Sequence, residues 1–487
     1  MQKYIVPLLA MCWSLTSIGQ TINNDSRLGT VNRVIDGYNN HDYGAMRKPW
    51  NWWAKPIVTR NKLKREFEAY HTRYGALLLD TILKKSKFQY IAKLRAEKEP
   101  RTTLYLSYIF SNNGHLQGFG QTYPELIYRK APPSRLNVAA LTNDIDSFII
   151  KKYTRKASNG FNGCIAVLEN GQPVYERCIG YADFNKKNLL NDSTFFELAS
   201  VSKQFSAVAI LLLEKQGKLK LTDTLRQYFP ALPYRNITIE QLLTHTSGLP
   251  DYEKLLKKEW DRTKFATNND VVAQLAEHHP RILFPAGTRF EYCNTGYVLL
   301  SSIIEQVSGR SYAAFLKENI FEPLRMTHTR IYNTRRAGPE LLNNYAYGYV
   351  YSNDHQKYLL PDSMEKYAEV RYQDPITGDG TVNSCILDLE KWEKEVQDPQ
   401  IIPKEIFDMA FTNHTLPNGI LTNYGYGFFL SGGNGTEPLT FHTGGWPGYT
   451  TIIVNFIQQK KQLIILSNNE YANFSRMADD IGELLTQ

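Results

Sequence analysis

Cysteine is scarce in this sequence, which has five among 487 residues, and Cys12 is the first of them. The four that follow it are Cys164, Cys178, Cys293 and Cys385. Four cysteines can pair in three ways, and a sequence alone does not choose between them. Only Cys164 and Cys178 suggest a pair, because they flank the predicted hairpin turn Asn170-Gly171. A fold that depends on a dense disulfide framework is therefore not expected.

Motifs for metal ions are missing as well. The chain contains neither Cys-x-x-Cys nor His-Glu-x-x-His, the spacings that place two ligands on one ion. It also lacks Gly-x-Ser-x-Gly, the strand-to-helix turn that exposes the nucleophile of α/β-hydrolases. The sequence thus predicts no metal and no cofactor, and it offers no support for an α/β-hydrolase fold.

Long hydrophobic runs are absent after the first nineteen residues. Those nineteen carry one charge at Lys3, an apolar run over 4–15, and small residues at Ser17 and Gly19. This order is typical of a secretory signal peptide, and the run is too short to span a membrane. We expect residues 1–19 to be removed by cleavage near Gly19, and the protein to be exported to the periplasm or the extracellular space.

Positive charge is concentrated near the N-terminus. The chain has a net charge of +8, and residues 21–139 hold 20 Lys and Arg against 9 Asp and Glu. Such an excess indicates either a solvated basic face or a surface that contacts an anionic cell envelope. Nucleic acid is not an expected partner, because an exported chain without a binding motif gives no basis for it.

A chain of this length predicts more than one domain. Over 20–135, helices are predicted at 31–46 and 61–69, and alternating apolar residues predict strands at 88–95 and 102–110. This order resembles the small NTF2-like α+β domain that precedes some exported hydrolases. Pro132-Pro133 marks the linker to a second domain at 136–487.

The second domain begins and ends with strands. A helix is predicted at 137–156, a hairpin at 163–181, strands at 450–456 and 462–467, and a closing helix at 476–485. Helices fill the middle of this region. The pattern predicts an α+β fold in which both chain ends build one antiparallel sheet around an inserted helical domain, with the site at their junction.

Ser200 and Lys203 are the first candidate catalytic pair. They lie at the start of an apolar helical run, and positions i and i+3 share one face of a helix. A serine hydroxyl needs a base to become a nucleophile, and burial lowers the pKa of a lysine enough for that role. The alternative is a capped helix with an exposed lysine, since Ser-x-x-Lys is common by chance.

Two further groups carry suitable chemistry. Tyr292 can act as a general base beside an ammonium, and Asn294 can hold a substrate amide. Glycines in the late strand His442-Thr443-Gly444-Gly445 allow a substrate backbone to lie along its edge. The alternatives are a buried tyrosine on a helix cap and an ordinary turn.

Four motifs together resemble one family. They are Ser200-Val201-Ser202-Lys203, Thr244-His245-Thr246-Ser247-Gly248-Leu249-Pro250, Tyr292-Cys293-Asn294 and His442-Thr443-Gly444. Their order and spacing are similar to those of class C β-lactamases and D-alanyl-D-alanine carboxypeptidases, which are penicillin-binding-protein-like serine hydrolases. The resemblance covers about residues 140–487 and implies the β-lactamase/transpeptidase fold.

The resemblance also implies a role for each matching residue. Ser200 is the acylated nucleophile, Lys203 tunes its proton, and Tyr292 is the general base. Asn294, His442, Thr443 and Gly444 bind substrate, and the backbone N–H groups of Ser200 and Gly445 form the oxyanion hole. Gly378-Asp379-Gly380 resembles the family's glycine-rich segment at the border of the site.

Two residues invite other interpretations. His245 could belong to a Ser-His-Asp triad, but the resemblance places it in a structural loop. Cys293 could be mistaken for a nucleophile, and we interpret it as a small buried filler. His442 stands where class C β-lactamases have lysine, and a mostly neutral histidine holds a substrate carboxylate less constantly.

The sequence therefore favours an exported serine hydrolase that forms an acyl-enzyme at Ser200. Its expected substrates are D-amino-acid peptides, peptidoglycan-derived ones among them, or small esters and amides, cleaved as a D,D-carboxypeptidase, aminopeptidase or esterase would. Two alternatives stay open: a class C-type β-lactamase and a non-catalytic protein that binds the cell envelope.

Overall fold

The structure is a computed structural model of the 487-residue chain. It describes residues 26–50, 59–84, 89–98, 103–110, 115–121, 134–148, 153, 160–332, 343–352, 354–417, 421–433, 436–470 and 474–486. The chain forms two compact units. The N-terminal unit comprises Met1–Lys130 with the segments Asn418–Thr422 and Ser431–Thr436, and the C-terminal unit comprises the rest.

The helices and strands are numbered in chain order. The helices are α1 (Ser26–Asn39), α2 (Tyr43–Arg47), α3 (Arg60–Tyr74), α4 (Val138–Phe148), α5 (Lys203–Lys215), α6 (Leu225–Tyr228), α7 (Ile239–Leu243), α8 (Tyr252–Glu259), α9 (Asn268–His278), α10 (Asn294–Ser308), α11 (Tyr312–Leu316), α12 (Glu369–Tyr372), α13 (Ile386–Gln397), α14 (Lys404–Ala410) and α15 (Phe474–Leu485). The strands are β1 (Leu77–Lys84), β2 (Gln89–Ala96), β3 (Thr103–Phe110), β4 (Leu116–Gln121), β5 (Gly163–Glu169), β6 (Gln172–Ile179), β7 (Tyr181–Asp183), β8 (Asn188–Leu189), β9 (Phe196–Glu197), β10 (Arg330–Ile331), β11 (Val350–Ser352), β12 (Lys357–Leu359), β13 (Val382–Ser384), β14 (Phe429–Gly433), β15 (Thr436–Trp446), β16 (Tyr449–Phe456) and β17 (Lys461–Ser467).

Among its described residues, the N-terminal unit has a four-stranded antiparallel sheet and three helices. Its strands follow the order β1-β2-β3-β4, and its core joins the apolar face of α1 to the sheet through residues such as Val34, Tyr90 and Tyr108. One helix was predicted over 31–46, but α1 ends at Asn39. His41 adopts a left-handed conformation with φ 55°, and the Asp42 carboxylate then caps α2 by accepting backbone N–H groups.

The C-terminal unit contains a six-stranded sheet in the order β14-β15-β16-β17-β5-β6. The ladders from β15 to β6 are antiparallel, and β17 from the end of the chain pairs with β5 from its beginning. This is the predicted sheet built from both chain ends. Cys164 and Cys178 face each other across β5 and β6 and form a disulfide, while Cys293 and Cys385 are buried free thiols.

The helices of the C-terminal unit pack into one apolar core around α5 and α10. Helix α5 is buried from Lys203 to Leu211, so it needs no polar face along that length. Trp392 of α13 packs on Phe205, and its indole N–H donates to the Gln204 side chain at 2.8 Å. These contacts fix α5, which begins at Lys203 and directly follows the turn that carries Ser200.

Three sequence-based expectations fall on residues outside the described ranges. They are the signal peptide over 1–19, the Pro132-Pro133 linker, and the part of the 137–156 helix that follows Phe148, apart from Tyr153. Among the described residues, no helix has both the length and the hydropathy needed to cross a membrane.

Candidate active site

Ser200 lies in a short 3₁₀ turn, Ala199–Ser202, directly before α5. Ala199 has φ 49°, a left-handed conformation that is uncommon for a residue other than glycine. The turn is held from two sides at Leu198, whose carbonyl accepts the Thr451 hydroxyl at 2.8 Å and whose N–H donates to Val382 at 2.9 Å. The backbone strain at Ala199 is thus supported by contacts from β16 and β13.

Lys203 is fully buried and faces the serine. Its Nζ lies 3.1 Å from Ser200 Oγ and donates to the Asp379 backbone carbonyl at 2.7 Å. Burial lowers the pKa of Lys203 to about 8, although the nearby carboxylates of Asp379 and Glu253 act in the opposite direction. A lysine that loses its proton near neutral pH can accept the proton of an attacking hydroxyl.

Tyr292 precedes α10 and stands over the same ammonium. The Lys203 Nζ is 5.1 Å from the centre of the Tyr292 ring, and the centre of the His245 ring is 4.2 Å from it. His245 Nδ1 accepts the backbone N–H of Cys293 at 3.1 Å. Burial holds the pKa of His245 well below its usual value, so the ring is neutral and supports Tyr292.

Cys293 lies between the two polar residues of its motif and points inward. Its thiol is buried and 3.4 Å from the Leu249 carbonyl. Burial raises the pKa of Cys293 to about 11, so the sulfur stays protonated and is a poor nucleophile. The geometry fits a packed side chain.

Asn294 begins α10, and its carboxamide is oriented by a carboxylate. Its Nδ2 donates to Glu253 Oε1 at 2.8 Å. Burial raises the pKa of Glu253 to about 7, with Asp251 and Asp379 adding to the effect. Glu253 follows the Thr-His-Thr-Ser-Gly-Leu-Pro motif by three residues, yet its role was not predicted from the sequence.

His442 lies on β15, but its ring does not face the open side of the strand. The ring is buried; Nδ1–H donates to the Thr443 carbonyl at 2.8 Å, and Nε2 accepts the Tyr424 hydroxyl at 3.1 Å. Burial lowers the pKa of His442 to about 3, so the ring carries no charge. Both ring nitrogens thus have hydrogen-bond partners within the protein, and the binding of substrate by His442 stays a prediction.

Gly444 brings β15 against the nucleophile turn. A Cβ at this position would lie 2.2 Å from the Leu198 carbonyl oxygen and 2.3 Å from Thr451 Oγ1. At Gly445 a Cβ would meet no atom within 4 Å, and both Thr443 and Gly445 are exposed. The strand therefore leaves Thr443 and Gly445 exposed next to the turn that carries Ser200.

The Gly378-Asp379-Gly380 segment contacts Lys203 and Ser206. Gly378 has φ 105°, and its carbonyl accepts the Ser206 hydroxyl at 2.6 Å. The Asp379 carboxylate accepts the Tyr252 hydroxyl at 3.0 Å while its carbonyl holds Lys203. The segment thus positions the lysine through backbone groups.

Comparisons with known proteins agree with this geometry. The profile of the family described as Beta-lactamase matches residues 152–487, more than half of the chain. This chain belongs to the Beta-lactamase family. The family is one of serine hydrolases, and the predicted family and α+β fold are confirmed.

Individual relatives support the same assignment. Penicillin-binding protein 4* of Bacillus subtilis is 43% identical over 310 residues, which are 64% of this chain and 68% of that protein. The octameric penicillin-binding protein homologue from Pyrococcus abyssi superposes with a TM-score of 0.59 at 28% identity, covering 72% of this chain and 77% of the other. D-amino acid amidase from Ochrobactrum anthropi shares the fold, with a TM-score of 0.57 at 23% identity over 72% and 98% of the two chains.

One group of possible metal ligands lies outside this Beta-lactamase site. Among the residues that the structure describes, His328, Cys385 and Asp388 place potential ligand atoms within 4.8 Å of one another. The buried Asp388 carboxylate already accepts from the Thr329 hydroxyl at 2.9 Å and from Lys391 Nζ at 2.8 Å. Because the Asp388 carboxylate already has these partners, the group fits a structural cluster that ties α13 to the loop before β10.

Two residues of the family site escaped prediction. Glu253 and Tyr424 touch the motif residues Asn294 and His442 from segments 41 and 18 positions away. A carboxylate only three residues after Pro250 was the one available signal for Glu253. Tyr424 lies in a tyrosine-rich stretch that gives no indication of which ring faces the site.

Proposed function

We propose that the protein is an exported serine hydrolase that transfers an acyl group from an amide or ester to Ser200 and then to water. Its favoured substrates are D-amino-acid peptides or small amides and esters. The observation that carries the proposal is the 3.1 Å contact between the buried Lys203 Nζ and Ser200 Oγ. It pairs a nucleophile with a base whose pKa suits neutral pH.

The reaction has two steps. In acylation, Ser200 Oγ bonds to the substrate carbonyl carbon, its proton passes to Lys203 or Tyr292, and the protonated leaving group departs when its bond to that carbon breaks. In deacylation, Tyr292 takes a proton from water as the water oxygen bonds to the ester carbon. The bond between that carbon and Ser200 Oγ then breaks, and Oγ takes the proton back from Tyr292. The N–H groups of Ser200 and Gly445 stabilise the oxyanion in both steps.

Substrate would lie along β15. Thr443 and Gly444 supply the strand edge, and Asn294 receives a polar group of the acyl part. The neutral, buried ring of His442 supplies no charge for a carboxylate on the leaving group. This disfavours the class C β-lactamase alternative, which predicts rapid turnover of a chromogenic cephalosporin.

The remaining parts of the chain are assigned from the sequence. We propose that residues 1–19 direct export, that 20–135 form an accessory α+β domain similar to NTF2 in fold, and that 136–487 form the hydrolase. The basic N-terminal region is proposed to contact an anionic envelope surface. Because that contact would hold the hydrolase at the cell envelope, peptidoglycan-derived peptides are the proposed natural substrates.

Intact-mass analysis tests the nucleophile. The protein is incubated with a fluorophosphonate or with penicillin, a probe suggested by the name of the 43% identical relative. We expect a single adduct on the wild type, none on Ser200→Ala, and an unchanged adduct on Ser363→Ala, in which an exposed serine is replaced. The absence of any adduct on the wild type would overturn the proposal and favour a non-catalytic envelope-binding protein.

A further inference from the structure

The Asp379 side chain connects the Gly378-Asp379-Gly380 segment to α8. Its Oδ2 accepts the Tyr252 hydroxyl at 3.0 Å, and both residues are buried. Tyr252 is the first residue of α8, and its backbone N–H donates to Thr295 Oγ1 in α10 at 2.8 Å. The carboxylate is therefore anchored to α8, which is in turn held by α10.

The backbone of Asp379 holds the proposed base. Lys203 Nζ donates to the Asp379 carbonyl at 2.7 Å and lies 3.1 Å from Ser200 Oγ. The segment packs tightly against α10, since a Cβ at Gly378 would lie 2.3 Å from the Tyr297 carbonyl oxygen. Asp379 thus makes a hydrogen bond at each end, to the lysine through its carbonyl and to α8 through its carboxylate.

Two carboxyl groups act on the Lys203 ammonium from outside α5. Burial lowers the pKa of Lys203 to about 8, and Asp379 opposes this effect more strongly than Glu253 does. Burial also raises the pKa of Asp379, whereas the charge of Lys203 and the hydrogen bond from Tyr252 lower it. Burial raises the pKa of Glu253 to about 7, and Asp251 at the start of α8 raises the pKa of both carboxyl groups. The ammonium and the hydroxyl thus favour the ionised form of Asp379.

Several other titratable groups lie around Lys203 and Asp379 and are uncharged near neutral pH. Burial lowers the pKa of the imidazoles and raises that of the thiol and the phenols, so each keeps its neutral form. They are His245, His442, Cys293, Tyr297 and Tyr312. Tyr292 faces the ammonium with its ring, whose centre is 5.1 Å from Nζ. The charge on Asp379 is therefore not cancelled by a cation other than Lys203 among these groups.

We propose that Asp379 is a positioning residue that acts through Lys203. Its carbonyl holds the lysine Nζ at Ser200, and its carboxylate, oriented by Tyr252, supplies the negative charge that decides at which pH the lysine releases its proton. An opposite charge nearby favours the ammonium over the neutral amine, so the carboxylate delays formation of the base. This inference rests on the proposed acyl transfer at Ser200 and names the group that tunes it.

A rival explanation is that the carboxylate only fastens the segment to α8. Asparagine separates the two roles, because its amide oxygen can accept the Tyr252 hydroxyl in the same way but carries no charge. If Asp379 only fastens the segment, Asp379→Asn keeps the pH dependence of the wild type or lowers the rate at every pH. Tuning by charge predicts a shift of the pH dependence and a faster reaction at low pH.

The experiment measures the rate at which a fluorophosphonate labels Ser200 in the full chain as a function of pH. The series runs from about pH 6 to about pH 10, on either side of the Lys203 pKa of about 8, and gives the midpoint of the rise in rate. We expect Asp379→Asn to lower the midpoint by about one pH unit, because the ammonium loses an opposite charge. Below both midpoints the variant should label up to about tenfold faster than the wild type, since about tenfold more of its lysine is neutral.

Two further variants complete the series. Asp354→Asn is the matched control, because it makes the same exchange at an exposed position and should keep the wild-type midpoint. Asp379→Ser removes the charge with a smaller side chain and should lower the midpoint in the same direction. It serves if the asparagine variant is unstable, which melting curves of the same samples show.

Two results would overturn the inference. They are a midpoint that stays unchanged or rises in a folded Asp379 variant, and a wild type that is labelled at a rate independent of pH. In both cases Ser200 is still labelled, so the proposed acyl transfer is left standing. A wild type that the fluorophosphonate does not label at any pH would refute both proposals.

Discussion

Lys203 shows how one residue combines cost and function. Its ammonium is fully buried, and burial also raises the pKa values of the two nearby carboxyl groups, those of Asp379 and Glu253. Burying a charge destabilises a protein unless partners compensate for the lost water. The compensation comes from the Asp379 carbonyl and the Ser200 hydroxyl, which are the groups that the reaction needs nearby.

Replacing this lysine should separate activity from stability. We expect Lys203→Met to slow fluorophosphonate labelling of Ser200 about 10³-fold, because the hydroxyl loses its base. The melting temperature should not fall, since methionine fills similar space without a buried charge. Lys215→Met, at an exposed position at the end of the same helix, should label at the wild-type rate. Normal labelling of Lys203→Met would remove the lysine from the mechanism.

The lowered pKa of Lys203 also sets a pH dependence. The folded protein holds this proton up to about pH 8, whereas an unfolded chain holds it up to 10.5. The neutral amine therefore forms above about pH 8, and we expect the labelling rate to rise with pH and level off above that value. The same shift means that this group adds stability as pH rises from 8 toward 10.5. A labelling rate that stays flat or falls as the pH rises toward 8 would contradict the assignment.

At the scale of elements, the site depends on how closely β15 approaches the turn before α5. Gly444 allows this approach, since a Cβ would lie 2.2 Å from the Leu198 carbonyl oxygen. The same carbonyl accepts Thr451 from β16. Two strands thus fix the residue that precedes the strained Ala199, and any displacement there moves Ser200 as well.

Gly444→Ala tests this contact. We expect the added methyl group to push β15 from the turn, lower stability by about 1–3 kcal/mol and slow labelling of Ser200 at least about 100-fold. Gly29→Ala is the control, because a Cβ in α1 at that position meets no atom within 4 Å. Wild-type labelling of Gly444→Ala would show that the turn tolerates the displacement.

Local rules predicted some elements well and others poorly. The hairpin of β5 and β6 was predicted from the residue pair Asn170-Gly171. In the structure both residues adopt the positive φ that this turn requires, 52° and 69°. Strand β1 was not predicted, since its consecutive leucines do not alternate with polar residues. The catalytic motifs could be recognised in the sequence because the chemistry of each is concentrated in three or four residues. Glu253 and Tyr424 were not, because their contacts depend on how separate segments meet.

For the whole molecule, the disulfide is the only covalent tie that the structure describes between separate strands. Cys164 and Cys178 are 14 residues apart, and closing a loop of about that length stabilises a fold by about 3 kcal/mol. We expect Cys164→Ala/Cys178→Ala to lose about 2–3 kcal/mol of unfolding free energy in denaturant titrations. A reductant should destabilise the wild type similarly and leave the double variant unchanged. A wild type insensitive to reductant would show that the pair is not formed.

The pairing of β5 with β17 joins the beginning and the end of the C-terminal unit. The Thr451 hydroxyl likewise reaches the Leu198 carbonyl across 253 residues of sequence. Contacts of such separation form late, because the entropy of closing the intervening loop opposes them. A chain still emerging from the ribosome therefore carries the serine and the lysine without the strand that completes their surroundings. The protein therefore becomes catalytically competent only after its last strands have been synthesised.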